Sequence, residues 1–134
     1  MQLQKFIEKF NSNIKKIGSD LEIKEIKSDE KGNCKSLIIT KDIAMTSYEE
    51  ENLLAGMIII GGGKTVQDSI QILKVISLAI DSYAEQNQEW RNSVLERLGM
   101  FNGKFAFGKT TESRGYKFKI HSVKGKIMLS INKI

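Results

Sequence analysis

From Lys104 to Ile131 the apolar side chains fall at every second position: Phe105 and Phe107, then Tyr116, Phe118 and Ile120, then Ile127, Leu129 and Ile131. Successive side chains of an extended strand point to opposite faces, so this spacing commits the segment to strands with one greasy side. The turn-forming clusters TTESRG and VKGK part the three runs, which predicts a three-stranded antiparallel meander. Between the apolar positions stand Lys117, Lys119 and His121, with Lys104, Lys109, Arg114, Lys124 and Lys126 at strand ends and turns. The second face of that sheet is therefore expected to be basic.

The distribution of charge sharpens this expectation. Residues 101–134 carry 8 Lys and Arg against Glu112 alone, whereas residues 1–100 carry 13 against 15 Asp and Glu. The formal charge of +5 at pH 7 thus resides in the last quarter of the chain. A basic sheet face attracts phosphate backbones or an acidic protein surface. Lysines in such places also serve simply to stop strands pairing with strangers.

Upstream the period changes. Leu3, Phe6, Ile7, Phe10, Ile14 and Ile17 recur at spacings of three and four, which predicts an amphipathic helix over residues 2–17, ended by Gly18. Residues 21–27 and 35–40 are short and rich in isoleucine, and SDEKGN between them reads as the turn of a β-hairpin. Ser47 followed by Glu50 has the form of a capping box, which predicts a helix from Tyr48 to Ile60 with Glu49, Glu50 and Glu51 at the positive end of its dipole. Thr65 followed by Asp68 repeats the signal, and Ile70, Leu73, Ile76, Ile80 and Tyr83 continue a second helix from Val66. Together these make a central helical hairpin over 48–83. Trp90, Val94 and Leu98, before Gly99, form a third short helix or the tail of the second. The expectation is one α+β domain spanning residues 1–134, its C-terminal meander forming one sheet packed on helices.

The stretch IIIGGGKT invites comparison with a phosphate-binding loop. Such a loop needs G-x-x-x-x-G-K-[ST], so that several N–H groups wrap the phosphate, but five positions before Gly63 stands Ile58. With a helix expected there, the preceding strand is absent too, and the glycines read as a joint between two helices. The segment NGKFAFGK approaches the aromatic strand of RNA-binding sheets. Lys104 intrudes between Gly103 and Phe105, however, and the order of elements is not βαββαβ.

Other chemistry lacks its parts. Cys34 is the single cysteine and His121 the single histidine, which excludes an internal disulfide and leaves metal sites and histidine-activated nucleophiles without their usual residues. No cofactor and no catalysis are expected. MQLQKFIEKFNSNIKK lacks the apolar core of a secretory signal, and LLAGMIIIGGG is about half the roughly 20 residues a membrane span needs, so a cytoplasmic protein with no membrane span is expected. What remains is binding. The expected contact residues are Lys117, Lys119, His121, Arg114, Lys124 and Lys126, with Trp90 as an anchor of the kind enriched in interfaces. The expected partner is another protein with an acidic surface, the chain acting as a small inhibitor or immunity-type protein; a nucleic-acid-binding accessory protein using the same face is the alternative.

Overall fold

A computed structural model of the chain describes residues 1–30, 32–62, 64–101 and 108–134. Its elements follow in the order α1 (Leu3–Lys16), β1 (Glu25–Ser28), β2 (Cys34–Ile38), β3 (Ile43–Glu50), β4 (Leu53–Gly61), α2 (Val66–Ala84), α3 (Gln88–Arg97), β5 (Thr110–Ser113), β6 (Tyr116–Val123) and β7 (Lys126–Lys133). The strands form one antiparallel sheet in the order β1-β2-β3-β4-β7-β6-β5. The last strand therefore lies beside β4, near the middle of the sheet. It zips the N-terminal strands to the C-terminal ones.

The α+β class holds, as do the N-terminal helix, the first hairpin and a C-terminal meander. The first half of the expected central helical hairpin does not: residues 43–61 are the strands β3 and β4. Ser47 is buried, and its hydroxyl donates to the Lys35 carbonyl at 3.5 Å instead of capping a helix. Glu49 pairs with Lys35 at 2.8 Å, so its charge is met by a side chain and not by a helix dipole. The physical reason is a turn at Glu51 and Asn52, both with positive φ, which reverses the chain before a helix could propagate. Two left-handed central residues match the right-handed twist of paired strands, and Arg114-Gly115 and Lys124-Gly125 repeat this geometry in the later hairpins. The isoleucines 58–60 then find hydrogen-bonded neighbours on both sides, in β3 and β7.

Three further corrections follow. Gly61 ends a strand, so the glycine stretch joins a strand to a helix and not two helices. Thr110–Ser113, expected as a turn, is the strand β5, and the turn narrows to Arg114 and Gly115. Phe105 and Phe107, expected on the first strand of the meander, lie outside the described residues.

The helices pack on one face of the sheet. Phe6 of α1 meets Tyr83 of α2 edge to face, Tyr83 meets Tyr116 of β6, and Trp90 of α3 meets Phe118 of the same strand. The inward rows Leu37–Met45–Ile59–Leu129–Ile120 and Ser47–Met57–Ile131–Phe118 are all buried. These residues and the inner faces of the three helices form one continuous core. Gly61 lets α2 approach, since a Cβ there would stand 2.6 Å from Ile72 Cδ1. Among the described residues, no helix is long and apolar enough to cross a membrane.

Candidate docking face

Among the described residues, the opposite face of the sheet carries no helix. Strand register places its outward side chains in three rows. One runs Ile38–Ala44–Ile60–Met128–His121, the next Ser36–Thr46–Ile58–Ser130–Lys119, and the third Tyr48–Gly56–Asn132–Lys117. Ile58 is 39% exposed and Tyr48 37%, whereas Ile38, Ile60, Met128 and His121 are half-buried by their neighbours. The centre is thus aliphatic with small hydroxyl residues, and β6 forms a basic margin.

Tyr48 gives this surface a fixed feature. Its hydroxyl donates to Asn132 Oδ1 at 3.2 Å, two strands away, so the side chain lies across β4. Gly56 lies beneath it: a Cβ added there would stand 2.7 Å from Tyr48 Cε1 and 2.5 Å from Asn132 Oδ1. The ring thereby covers a glycine that would otherwise leave a gap in the strand's side-chain surface.

The residues expected from the sequence separate into two groups. Lys117, Lys119 and His121 project from β6 onto the open face, and Lys126 joins them from the start of β7 by the same alternation. Lys124 is exposed in the adjoining turn. Arg114 and Trp90 are elsewhere. Trp90 is buried against Phe118, with its indole N–H donating to Ser113 Oγ at 2.8 Å. The Arg114 guanidinium lies 5.7 Å from the centre of that indole ring and donates to Gln86 at the end of α2. Together they close the helical side and form no part of the lysine margin.

Tyr48, Met128 and Asn132 escaped the sequence reading. A period-two reading of IAMTSYEE would have put Tyr48 opposite the inward Met45 and Ser47 and so on the surface.

Two other places could suggest chemistry. The start of α2 holds a complete capping box: Asp68 N–H donates to Thr65 Oγ1 at 3.1 Å, and Thr65 N–H donates to the Asp68 carboxylate at 3.2 Å. A carboxylate already occupies the place where a phosphate would bind, so the strand before the glycines does not revive that reading. Between α1, α2 and the start of α3 lies a polar cleft of about 460 Å³ lined by Lys9, Asn13, Lys16, Asp81 and Glu85, among others. Several of its groups have partners: Lys9 pairs with Glu85, Asn13 donates to Ser82 Oγ, and Asp81 lies 3.2 Å from Arg91 Nε as an ion pair without an aligned hydrogen bond. Burial pushes the Asp81 carboxyl up while Arg91 pulls it down, and Lys9 holds Glu85 below its ordinary value. This is a seam between helices. Among the described residues, no group of three or more His, Cys, Asp or Glu side chains is placed to hold a metal ion.

Comparison with known proteins adds no guide: no protein-family model matches the chain, and no curated protein or solved structure is significantly similar to it.

Proposed function

We propose that this protein works by binding, docking on another macromolecule through the open face of its sheet. One observation carries the reading. Three helices cover one side of a seven-stranded sheet, while the other presents aliphatic side chains and a pinned tyrosine beside Lys117, Lys119, His121 and Lys126. A two-layer α+β protein needs one buried sheet face for its own core, so a second face with exposed Ile58 and Tyr48 is surface kept for contact. An apolar centre with a charged margin is the anatomy of a protein interface. Nucleic acid favours the reverse, a dominant basic track with several stacking aromatics. Within this class we favour a stoichiometric inhibitor or immunity-type protein, whose activity requires no more than a surface complementary in shape and charge.

The test is copurification at native expression levels. The wild-type protein should retain a partner that Lys117→Glu/Lys119→Glu and Ile58→Glu each release, while Lys74→Glu on α2 retains it. Added one to one, the protein should suppress that partner's activity. Binding to random oligonucleotides that collapses between low and moderate salt, with no protein retained, would support the nucleic-acid alternative instead.

A further inference from the structure

The open face rests on the docking reading above, but its geometry says more about what can occupy it. We propose that Tyr48 is the anchor of this face. Its occupant is a different protein, with aliphatic side chains over Ile58, Ile60 and Met128 and carboxylates over Lys117 and Lys119.

The anchor role follows from restraint. A tyrosine on an open sheet ordinarily samples several rotamers, and fixing a side chain at an interface costs conformational entropy. Tyr48 is already held by the Asn132 hydrogen bond and seated over Gly56, so part of that ordering precedes binding. Tyrosine is also among the residues that dominate measured interface energies. The face is large enough to matter. The strands β2, β3, β4, β7 and β6, spaced about 4.8 Å apart and extending about six residues of 3.3 Å, give on the order of 500 Å² in plan. That reaches the roughly 500 Å² per partner of the smallest specific interfaces.

Charge decides between a second copy and another protein. Two copies meeting face to face are related by a two-fold axis lying in the interface. An axis crossing the strands sets β6 over β6, lysine against lysine. An axis along β4 sets β6 over β2 of the other copy, where Ser36 and Ile38 face outward; the nearest outward carboxylate there, Glu25 of β1, is already met by Lys27 at 3.7 Å. The first arrangement desolvates Lys117 and Lys119 without an opposite charge, and the second offers them only a carboxylate already shared with Lys27, so both are costly. Glu112, paired across from Lys117 on β5, is the one carboxylate beside this margin among the described residues, and it leaves Lys119 and Lys126 uncompensated. The missing acids must come from the partner.

The experiment is an NMR titration of the full chain, with isoleucine and methionine methyls and tyrosine rings labelled. Three probes are used: the peptide Leu-Ser-Leu-Ser-Leu-Ser-Glu-Ser-Glu-Ser, which when extended carries leucines and then glutamates on one side; its Glu→Gln counterpart; and a twelve-nucleotide oligothymidylate. The acidic peptide should shift the Ile58, Ile60 and Met128 methyls and the Tyr48 ring; the Gln peptide should bind about tenfold more weakly, and Tyr48→Ala should weaken binding about thirtyfold, the threshold of an interface hot spot. Tyr48→Phe should retain most of the affinity, and Asn132→Ala, which frees the ring without removing it, should fall between. Shifts on the open face that ignore the glutamates or Tyr48→Ala overturn this inference and leave the docking reading standing. Shifts confined to the helices, or none with any probe, overturn both. Tighter binding of the oligothymidylate at the same methyls, or a dimer in sedimentation equilibrium that Ile58→Glu dissolves, replaces the partner proposed here with nucleic acid or with a second copy.

Discussion

The two faces of this sheet share one backbone and differ in nearly everything else. On the covered face Ile59, Leu129, Ile120 and Phe118 are fully buried beneath three helices. On the open face their direct chain neighbours Ile58, Met128, His121 and Lys119 stand exposed or half-buried. Alternation along a strand thus divides the labour of the chain between holding itself together and meeting something else, one residue at a time. Stability should respond to changes on one face, and binding to changes on the other.

The two faces differ most on β4, where adjacent isoleucines point opposite ways. Ile59→Ala removes a fully buried side chain and should cost about 2–5 kcal/mol, read as a lower denaturant midpoint. Ile58→Ala should cost about 1 kcal/mol or less. Equal losses would mean that the open face is itself part of the core.

The two glycines of the same strand give a smaller contrast. Gly61→Ala forces a methyl against Ile72 and Ile43 and should cost about 1–3 kcal/mol through overpacking. Gly56→Ala meets chiefly the side chains of Tyr48 and Asn132, which can move, so its signature should be a displaced Tyr48 ring in NMR with a loss nearer 1 kcal/mol. A third pair concerns hydroxyls. Tyr83 donates to the Leu54 carbonyl at 2.8 Å in the core, and Tyr83→Phe should cost about 1 kcal/mol. Tyr48→Phe, with its longer and exposed bond to Asn132, should cost about 0.5 kcal/mol or less.

Tyr83 also carries a pH dependence. Burial, with Tyr116 and Tyr48 nearby, pushes the Tyr83 phenol above its ordinary value. In the unfolded chain it ionises first, near the usual phenol value of about 10. Its contribution is therefore complete below that pH and is lost as pH rises toward the folded value. Tyr83→Phe should flatten part of the alkaline loss of stability, the remainder belonging to Tyr116, which burial also raises. An unchanged alkaline profile would show that Tyr83 is not desolvated as described.

How much of this was legible depended on whether one face of an element differs from the other. In β6, YKFKIH alternates apolar with charged residues, so both its strand character and its basic margin could be read directly. In β4 the inward Met57 and Ile59 and the outward Ile58 and Ile60 are all apolar, because the centre of the open face is apolar too. No alternation survives there, and Ser47 with Glu50 supplied a false helix start. The misreading of β4 and the failure to see Tyr48 have this common origin. Trp90 was ambiguous for another reason: the Ser113 hydroxyl that receives its indole proton is 23 residues away in the chain. The lysines were legible as a cluster, but the sequence could not show that Arg114 turns toward Gln86 and Trp90.

The placement of β7 has a consequence for how this molecule comes into being. A ribosome releases β4 some seventy residues before the strand that must lie against it, so a growing chain carries the bare flank of β4 until residues 127–132 emerge. Partial products would be sticky along that flank, and an early stop codon before residue 127 would remove the middle of the sheet instead of trimming its rim.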